Sequence, residues 1–136
     1  MSRMIFINLP VTDLSKSKAF YEAIGFTNNP QFSDDSSACM VLTDAISVML
    51  LTHAKWQTFT TRPIPPSTSS EVMLALACAS RDEVDAMNDA AVAKGGTADI
   101  NPKQDHGFMY NRNLADPDGH VWEAMWMDMG AVPSGD

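Results

Sequence analysis

An architectural repeat runs through this chain and limits the folds open to it. Met4–Leu9 is a short apolar run that reads as a strand, and TDLSKSKAFYEAIG after it reads as a helix. Thr12 or Asp13 can cap that helix, Leu14, Tyr21 and Ile24 fall on one face at spacings of seven and three, and Gly25 supplies the stop. Strand-like pieces follow at Phe26–Ser33, Ala38–Thr43 and Ala45–His53. The same order then returns. Glu71–Ala79 reads as a strand, and Ser80-Arg81-Asp82-Glu83 is a capping box. Val84, Met87 and Ala91 mark a helix that Gly95-Gly96 ends, before strands at Thr97–Pro102, His106–Ala115 and His120–Met127. Asp116-Pro117-Asp118-Gly119 joins the last two strands as a hairpin turn. The halves share little sequence beyond the helix position and the glycine after it, so the repeat lies in the architecture.

The expected fold is therefore α+β: two β-α-β-β-β modules, each a curved mixed sheet with a helix on its outer face. Packed edge to edge, they would enclose a cup-shaped cleft lined by alternate strand residues. A chain of 136 residues is the size of one domain with a real core. Its parts read as module one at about 4–56, a linker at 57–70, module two at about 71–128 and a loose tail at 129–136. The linker QTFTTRPIPPSTSS holds three prolines and a Ser/Thr cluster. Trp56 and Phe59 beside it suit a lid, a dimer contact or plain surface anchoring.

Composition removes several classes of function. A net charge of −8 argues against nucleic-acid binding, which needs clustered Lys and Arg, and suits a cationic ligand better. No glycine-rich phosphate loop, Ser-His-Asp order or CxxC pair occurs. Cys39 and Cys78 sit in apolar segments and read as buried free thiols. The longest apolar run, Ala45–Leu51, is too short to span a bilayer, and the start MSRMIFINLPVTDL shows no signal-peptide pattern. A soluble cytoplasmic protein is expected, with no membrane partner.

Two segments, LPVTDLSKSKAFYEAIGF (Leu9–Phe26) and DPDGHVWEAMW (Asp116–Trp126), at this separation on such a repeat, resemble the vicinal oxygen chelate superfamily. That superfamily includes glyoxalases, bleomycin-resistance proteins and extradiol dioxygenases. FINLPV, HGFMYNR and GHVWEAMWMD look more narrowly like its bacterial glyoxalase-related subgroup. The resemblance implies a homodimer and a cleft in which ligands from the first, fourth, fifth and eighth strands hold a divalent metal. Carried over, those positions fall on Phe6, near Leu50, near Met73 and on Glu123. Only Glu123 suits a divalent ion: phenylalanine and leucine cannot ligate, and a thioether is a poor partner for a hard cation. No cofactor is expected, with a divalent metal left open through an unusual set such as His106 with Glu123.

Period-two alternation puts Val121, Glu123, Met125 and Met127 on one face of the last strand and His120, Trp122, Ala124 and Trp126 on the other. A carboxylate there needs a partner. The candidates are a ligand in the cleft or an ion pair across the hairpin, where Asn111, Arg112 or Asn113 lies opposite according to register. In a methionine-lined cavity desolvation would raise the Glu123 pKa, which suits a general base or acid. Asn8 shares the face of Met4 and Phe6 and suits either a ligand or nearby backbone. His106 and Tyr110 could rim the pocket, whereas His53 and His120 sit at strand ends and read as surface or turn residues. Met40, Met49, Met73, Met109, Met125 and Met127 lie on expected strands and suit core packing or an adaptable pocket.

The leading expectation is a protein binding a small, partly apolar molecule without the usual metal. Glu123 would be the main polar contact, with Asn8, Phe6, Met73, Tyr110, Arg112 and His106 around the ligand. The alternative is an enzyme, a lyase or isomerase related to lactoylglutathione lyase or a dioxygenase, using Glu123 as base or ligand.

Overall fold

The structure, a computed structural model, describes residues 3–131, and the chain divides between Ser69 and Ser70 into two units. The end of the expected tail, residues 132–136, lies outside the described residues. In the first unit, β1 (Ile5–Val11) leads into α1 (Leu14–Ala23), β2 (Thr27–Asn29), a 3-10 turn at Pro30–Phe32, β3 (Ser37–Thr43), β4 (Ile46–Thr52) and the one-turn helix α2 (His53–Trp56). The sheet order is β1-β4-β3-β2, with β1 parallel to β4 and the other pairs antiparallel. In the second unit, β5 (Met73–Ala77) is followed by α3 (Arg81–Ala93), β6 (Thr97–Ala98), β7 (Gln104–Asp105), β8 (Met109–Ala115) and β9 (Val121–Met127). Its order, β5-β9-β8-β6 with β7 also on β8, repeats the first: a parallel pair of first and last strands, then antiparallel neighbours. The β-α-β-β-β repeat is thus present twice. The second strand of the second unit is broken into two-residue pieces at a crossing where Asp99 takes φ 53°.

Local chemistry sets both helices. Asp13, not Thr12, caps α1 by accepting from the Lys16 N–H, and Ser80 caps α3 by accepting from the Glu83 N–H at 3.1 Å. Glu83 reaches back past Ser80 to the Ala79 N–H at 3.0 Å, so the capping box closes one residue further out than its usual form. Both helices end in one motif. Gly25 (φ 114°) and Phe26 donate to Glu22 and Tyr21, just as Gly95 (φ 88°) and Gly96 donate to Val92 and Ala91. The faces differ a little from the periodicity: Ser17, Phe20 and Tyr21 are buried on α1, and Val84, Asn88 and Ala91 on α3, so Asn88 takes the place expected for Met87.

Each sheet has a helix side and a free side. In the first unit α1 packs on β3 and β4. The Phe26 ring meets the Tyr21 ring of α1 edge-on at 5.5 Å, and Asn28, on the same side, pairs with Met40. Alternation then places Met40, Val48, Leu50, Ala38 and Val11 under the helix, all fully buried. In the second unit Leu114, Trp122 and Ala124 do the same under α3. Each such buried large apolar side chain contributes about 1.5–3 kcal/mol. Among the described residues no helix is long and apolar enough to cross a membrane.

Candidate functional site

The free face of the second sheet is the candidate site. Its register is fixed at the turn: Asp116 Oδ1 accepts from the Asp118 and His120 N–H groups at 2.9 and 2.8 Å, and Ala115 pairs with Val121. Two residues further, Asn113 faces Glu123, and on the other side Ala75 of β5 does. Glu123 therefore does not meet Arg112. Its Oε1 accepts from Asn113 Nδ2 at 3.2 Å, and Asn113 Oδ1 in turn accepts from Asn101 Nδ2 at 2.8 Å. Asn111 and Met125 come next on this face, with Met73 on β5. Asn111 and Asn113 are buried, Glu123 is half-buried and Met73 is 60% exposed. An ionised carboxylate can accept about four hydrogen bonds, so one bond from Asn113 leaves most of its capacity for an incoming group. Among the described residues no cationic side chain pairs with it.

Tyr110 and Arg112 occupy the opposite face of β8, against α3, and so do not share a surface with Glu123. The Tyr110 hydroxyl donates to Asp85 Oδ1 at 2.6 Å; Arg112 donates to the same oxygen at 3.0 Å and to both oxygens of Asp99 at 2.9 and 2.8 Å. The Tyr110 hydrogen bond, then Arg112, holds the Asp85 carboxyl below its ordinary range, and Arg112 does the same for Asp99. Burial, with the Asp85 carboxylate beside it, raises the Tyr110 phenol. This cluster ties α3 and the crossing at Asp99 to the sheet. Arg81, at the start of α3, stacks 5.1 Å from the centres of both the Tyr110 and Trp126 rings and pairs with Asp105 at 2.8 Å. That pairing, with a hydrogen bond from the Gly107 N–H at 3.0 Å, holds Asp105 down to about 2. His106 is exposed in the turn after β7, its N–H donating to the Met109 carbonyl.

On the first sheet the free face carries Phe6 and Asn8, both exposed, with Phe6 opposite Ser47 and Asn8 opposite Met49. Leu50 is not on it. It pairs with Leu9 and Ala38 under α1 at 0% exposure, so the fourth-strand position on the free face is Ser47 or Met49. A one-residue shift moves a strand residue to the other face. Cys39, opposite Met49, is a buried free thiol that burial keeps protonated.

These donors do not fit a divalent metal. The free face of the first sheet offers hydrocarbon, amide, hydroxyl, thioether and an un-ionised thiol, and that of the second offers one carboxylate among amides and thioethers. Nickel, zinc, manganese and iron need several imidazole, carboxylate or thiolate donors together. Among the described residues no three His, Cys, Asp or Glu side chains gather. Sequence reasoning named Asn113 only as one of three residues that could face Glu123, and it missed Asn101, which reaches the site from a loop with no periodic signal.

Comparison with known proteins points the same way as the topology. Residues 3–42 match the family model described as bleomycin resistance protein-like N-terminal. No curated protein matches the chain. Among solved structures, the chain is similar to the hypothetical protein SA1046 from S. aureus, at 26% identity over 93% of this chain and 95% of that one, with a TM-score of 0.77. It is similar also to a glyoxalase/bleomycin resistance protein from Albidiferax ferrireducens T118, at 25% identity over 89% and 95%, TM-score 0.67. TnmS3, an antibiotic binding protein from Streptomyces sp. CB03234, shares the fold at 22% identity over 93% and 97%, TM-score 0.62. The twice-repeated β-α-β-β-β order and these likenesses give the chain the glyoxalase/bleomycin resistance fold and support its resemblance to the vicinal oxygen chelate superfamily.

Proposed function

We propose that this protein binds a small, partly apolar molecule against the free face of its second sheet, without a divalent metal, and that Glu123 is the principal polar contact. One observation carries the reading. Glu123 is a half-buried carboxylate among Met73, Ala75 and Met125 whose partner among the described residues is a single neutral amide. Thioether side chains adapt to varied apolar shapes, and a carboxylate with unused lone pairs selects a hydrogen-bond donor, best a cationic amine. The net charge of −8 favours the same ligand class. The likeness to an antibiotic-binding protein supports sequestration of such a molecule.

A second reading keeps the same residue. The lone pairs that Asn113 leaves uncommitted can also take a proton, so metal-free proton transfer of the lyase or isomerase kind, with Glu123 as base, is the enzymatic alternative.

A thermal-shift and calorimetric screen of small aromatic amines on the wild-type chain and Glu123→Gln tests the binding. Loss of one charge-assisted hydrogen bond is worth about 1.5–3 kcal/mol, so binders should weaken about tenfold or more in the variant while its own Tm stays close to wild type. Amines that bind both chains equally, or none that bind the wild type, would refute the assignment. Turnover of a bound probe, lost in Glu123→Gln, would select the enzymatic reading.

A further inference from the structure

The hydrogen bonds behind Glu123 run in one direction. Asn101 Nδ2 donates to Asn113 Oδ1 at 2.8 Å, and Asn113 Nδ2 donates to Glu123 Oε1 at 3.2 Å. Asn113 is buried in the middle of β8, whereas Asn101 is exposed in the crossing between β6 and β7. That crossing is held to the sheet on both sides of Asn101. Before it, Asp99 takes two hydrogen bonds from Arg112; after it, Gln104 pairs with Asn111. Asn101 is therefore set in place by contacts that do not involve Glu123.

The chemistry of the three groups fixes the direction. An ionised carboxylate only accepts, so Asn113 must turn its amino group toward Glu123. Only the amide oxygen is then left for Asn101, which must donate. Turning the Asn113 amide over would set two acceptors against each other at Glu123, and the second link would survive only if the Asn101 amide turned over as well. Hydrogen bonds coupled in this way strengthen one another.

We propose that Asn101 is a positioning residue for Glu123: by holding the oxygen of the Asn113 amide, it keeps that amide's N–H on Glu123 Oε1 and so holds the carboxylate in one orientation, with its remaining lone pairs presented at a fixed place on the face. The significance of that placement rests on the reading of Glu123 as the ligand contact; the relay itself does not.

The relay can be tested without any ligand, by NMR of the full isotope-labelled chain, following the side-chain amide signals of Asn113 assigned by triple resonance. In the wild type these signals should shift on Glu123→Gln, because the N–H faces that side chain. Asn101→Asp replaces the donor by an acceptor of the same shape, so the Asn113 amide cannot satisfy both carboxylates in one orientation and its amino group is divided between them. In that background its signals should respond less to Glu123→Gln. Asn101→Ala removes the donor without supplying a rival acceptor, and should raise hydrogen exchange at the Asn113 side chain several-fold. Equal responses to Glu123→Gln in the wild-type and Asn101→Asp chains would overturn the proposal. Should Asn101→Asp not fold, unchanged exchange in Asn101→Ala would overturn it and faster exchange would uphold it. Because no ligand is used, failure here leaves the amine-binding reading standing, and failure of the amine screen leaves the relay standing.

Discussion

Arg112 offers the sharpest test of how the second sheet holds α3, through the substitution Arg112→Met. The guanidinium is 12% exposed and makes three hydrogen bonds to carboxylates that are themselves 45% and 36% exposed, Asp85 and Asp99. Hydrogen bonds to charged groups are worth about 1.5–3 kcal/mol each in net terms, and breaking a fully buried pair costs about 3–5 kcal/mol. Two features reduce that here. The carboxylates can rehydrate once freed, since more than a third of each is already in water. Methionine also keeps much of the apolar contact of the arginine stem. The expected loss is therefore about 2 kcal/mol, a fall in Tm of about 6–10 °C for a chain of this size.

The assay is urea unfolding followed by tryptophan fluorescence, because the buried Trp122 and neighbouring Trp126 both report on this sheet. Acid supplies the control. Asp85 and Asp99 are held below their ordinary value of 3.8 in the folded state, so their contribution is present above about that pH and is lost as pH falls through their folded values. The gap between wild type and Arg112→Met should accordingly narrow below about pH 3.8. A gap that persists unchanged at the acid end would show that packing, not charge, was lost. A cost below about 0.5 kcal/mol at neutral pH, the range of an ordinary surface substitution, would refute the reasoning outright. Combined with Glu123→Gln, the two effects should add to within about 0.5 kcal/mol, because the side chains lie on opposite faces of the sheet.

Three further outcomes follow from single residues. Asn88 is fully buried, with Nδ2 bonded to the Val84 carbonyl at 2.9 Å and Oδ1 without a partner among the described residues, so Asn88→Leu should stabilise the fold by about 1 kcal/mol, read as a higher Tm; a loss of stability would mean that the oxygen is satisfied. Gly25→Ala meets no atom within 4 Å but must adopt φ 114°, so it should cost about 1–2 kcal/mol through the backbone alone, and an unchanged urea midpoint would contradict that. Asp105 is held down to about 2 by Arg81 and, next, by the Gly107 N–H, so in Arg81→Gln an NMR titration should find it raised toward 3.8, with the share of the acid loss of stability that comes from Asp105 correspondingly smaller.

Much of the fold is legible in the sequence because the interactions that set it are short-range. Ser80 caps α3 through an N–H three residues away, and Gly25 and Gly95 end their helices because a positive φ suits glycine there. Alternation likewise separates Glu123 from Trp122 without knowledge of any neighbour. Other positions depended on where a second segment falls. Leu50 lies one residue from Met49, and that single step decides between the core under α1 and the free face. The break of the second unit's second strand into β6 and β7, around Asp99, leaves no clear pattern in the residues themselves.

Residue order alone thus dictates the twice-repeated succession of elements, the helix ends, and a carboxylate on an otherwise apolar strand face. What that carboxylate meets is settled by the packed fold. Three residues of β8 could have stood opposite Glu123, and the Asp116 turn selected Asn113 by fixing the register. The same register sent Arg112 to the other face, where Asp85 on α3 and Asp99 on the crossing claim it. Asn101 joined from a loop, 12 residues before its partner. The physical reason is one of range: propensity, capping and alternation act over a few bonds of chain, whereas a hydrogen bond between side chains depends on the register and packing that bring distant segments to one place.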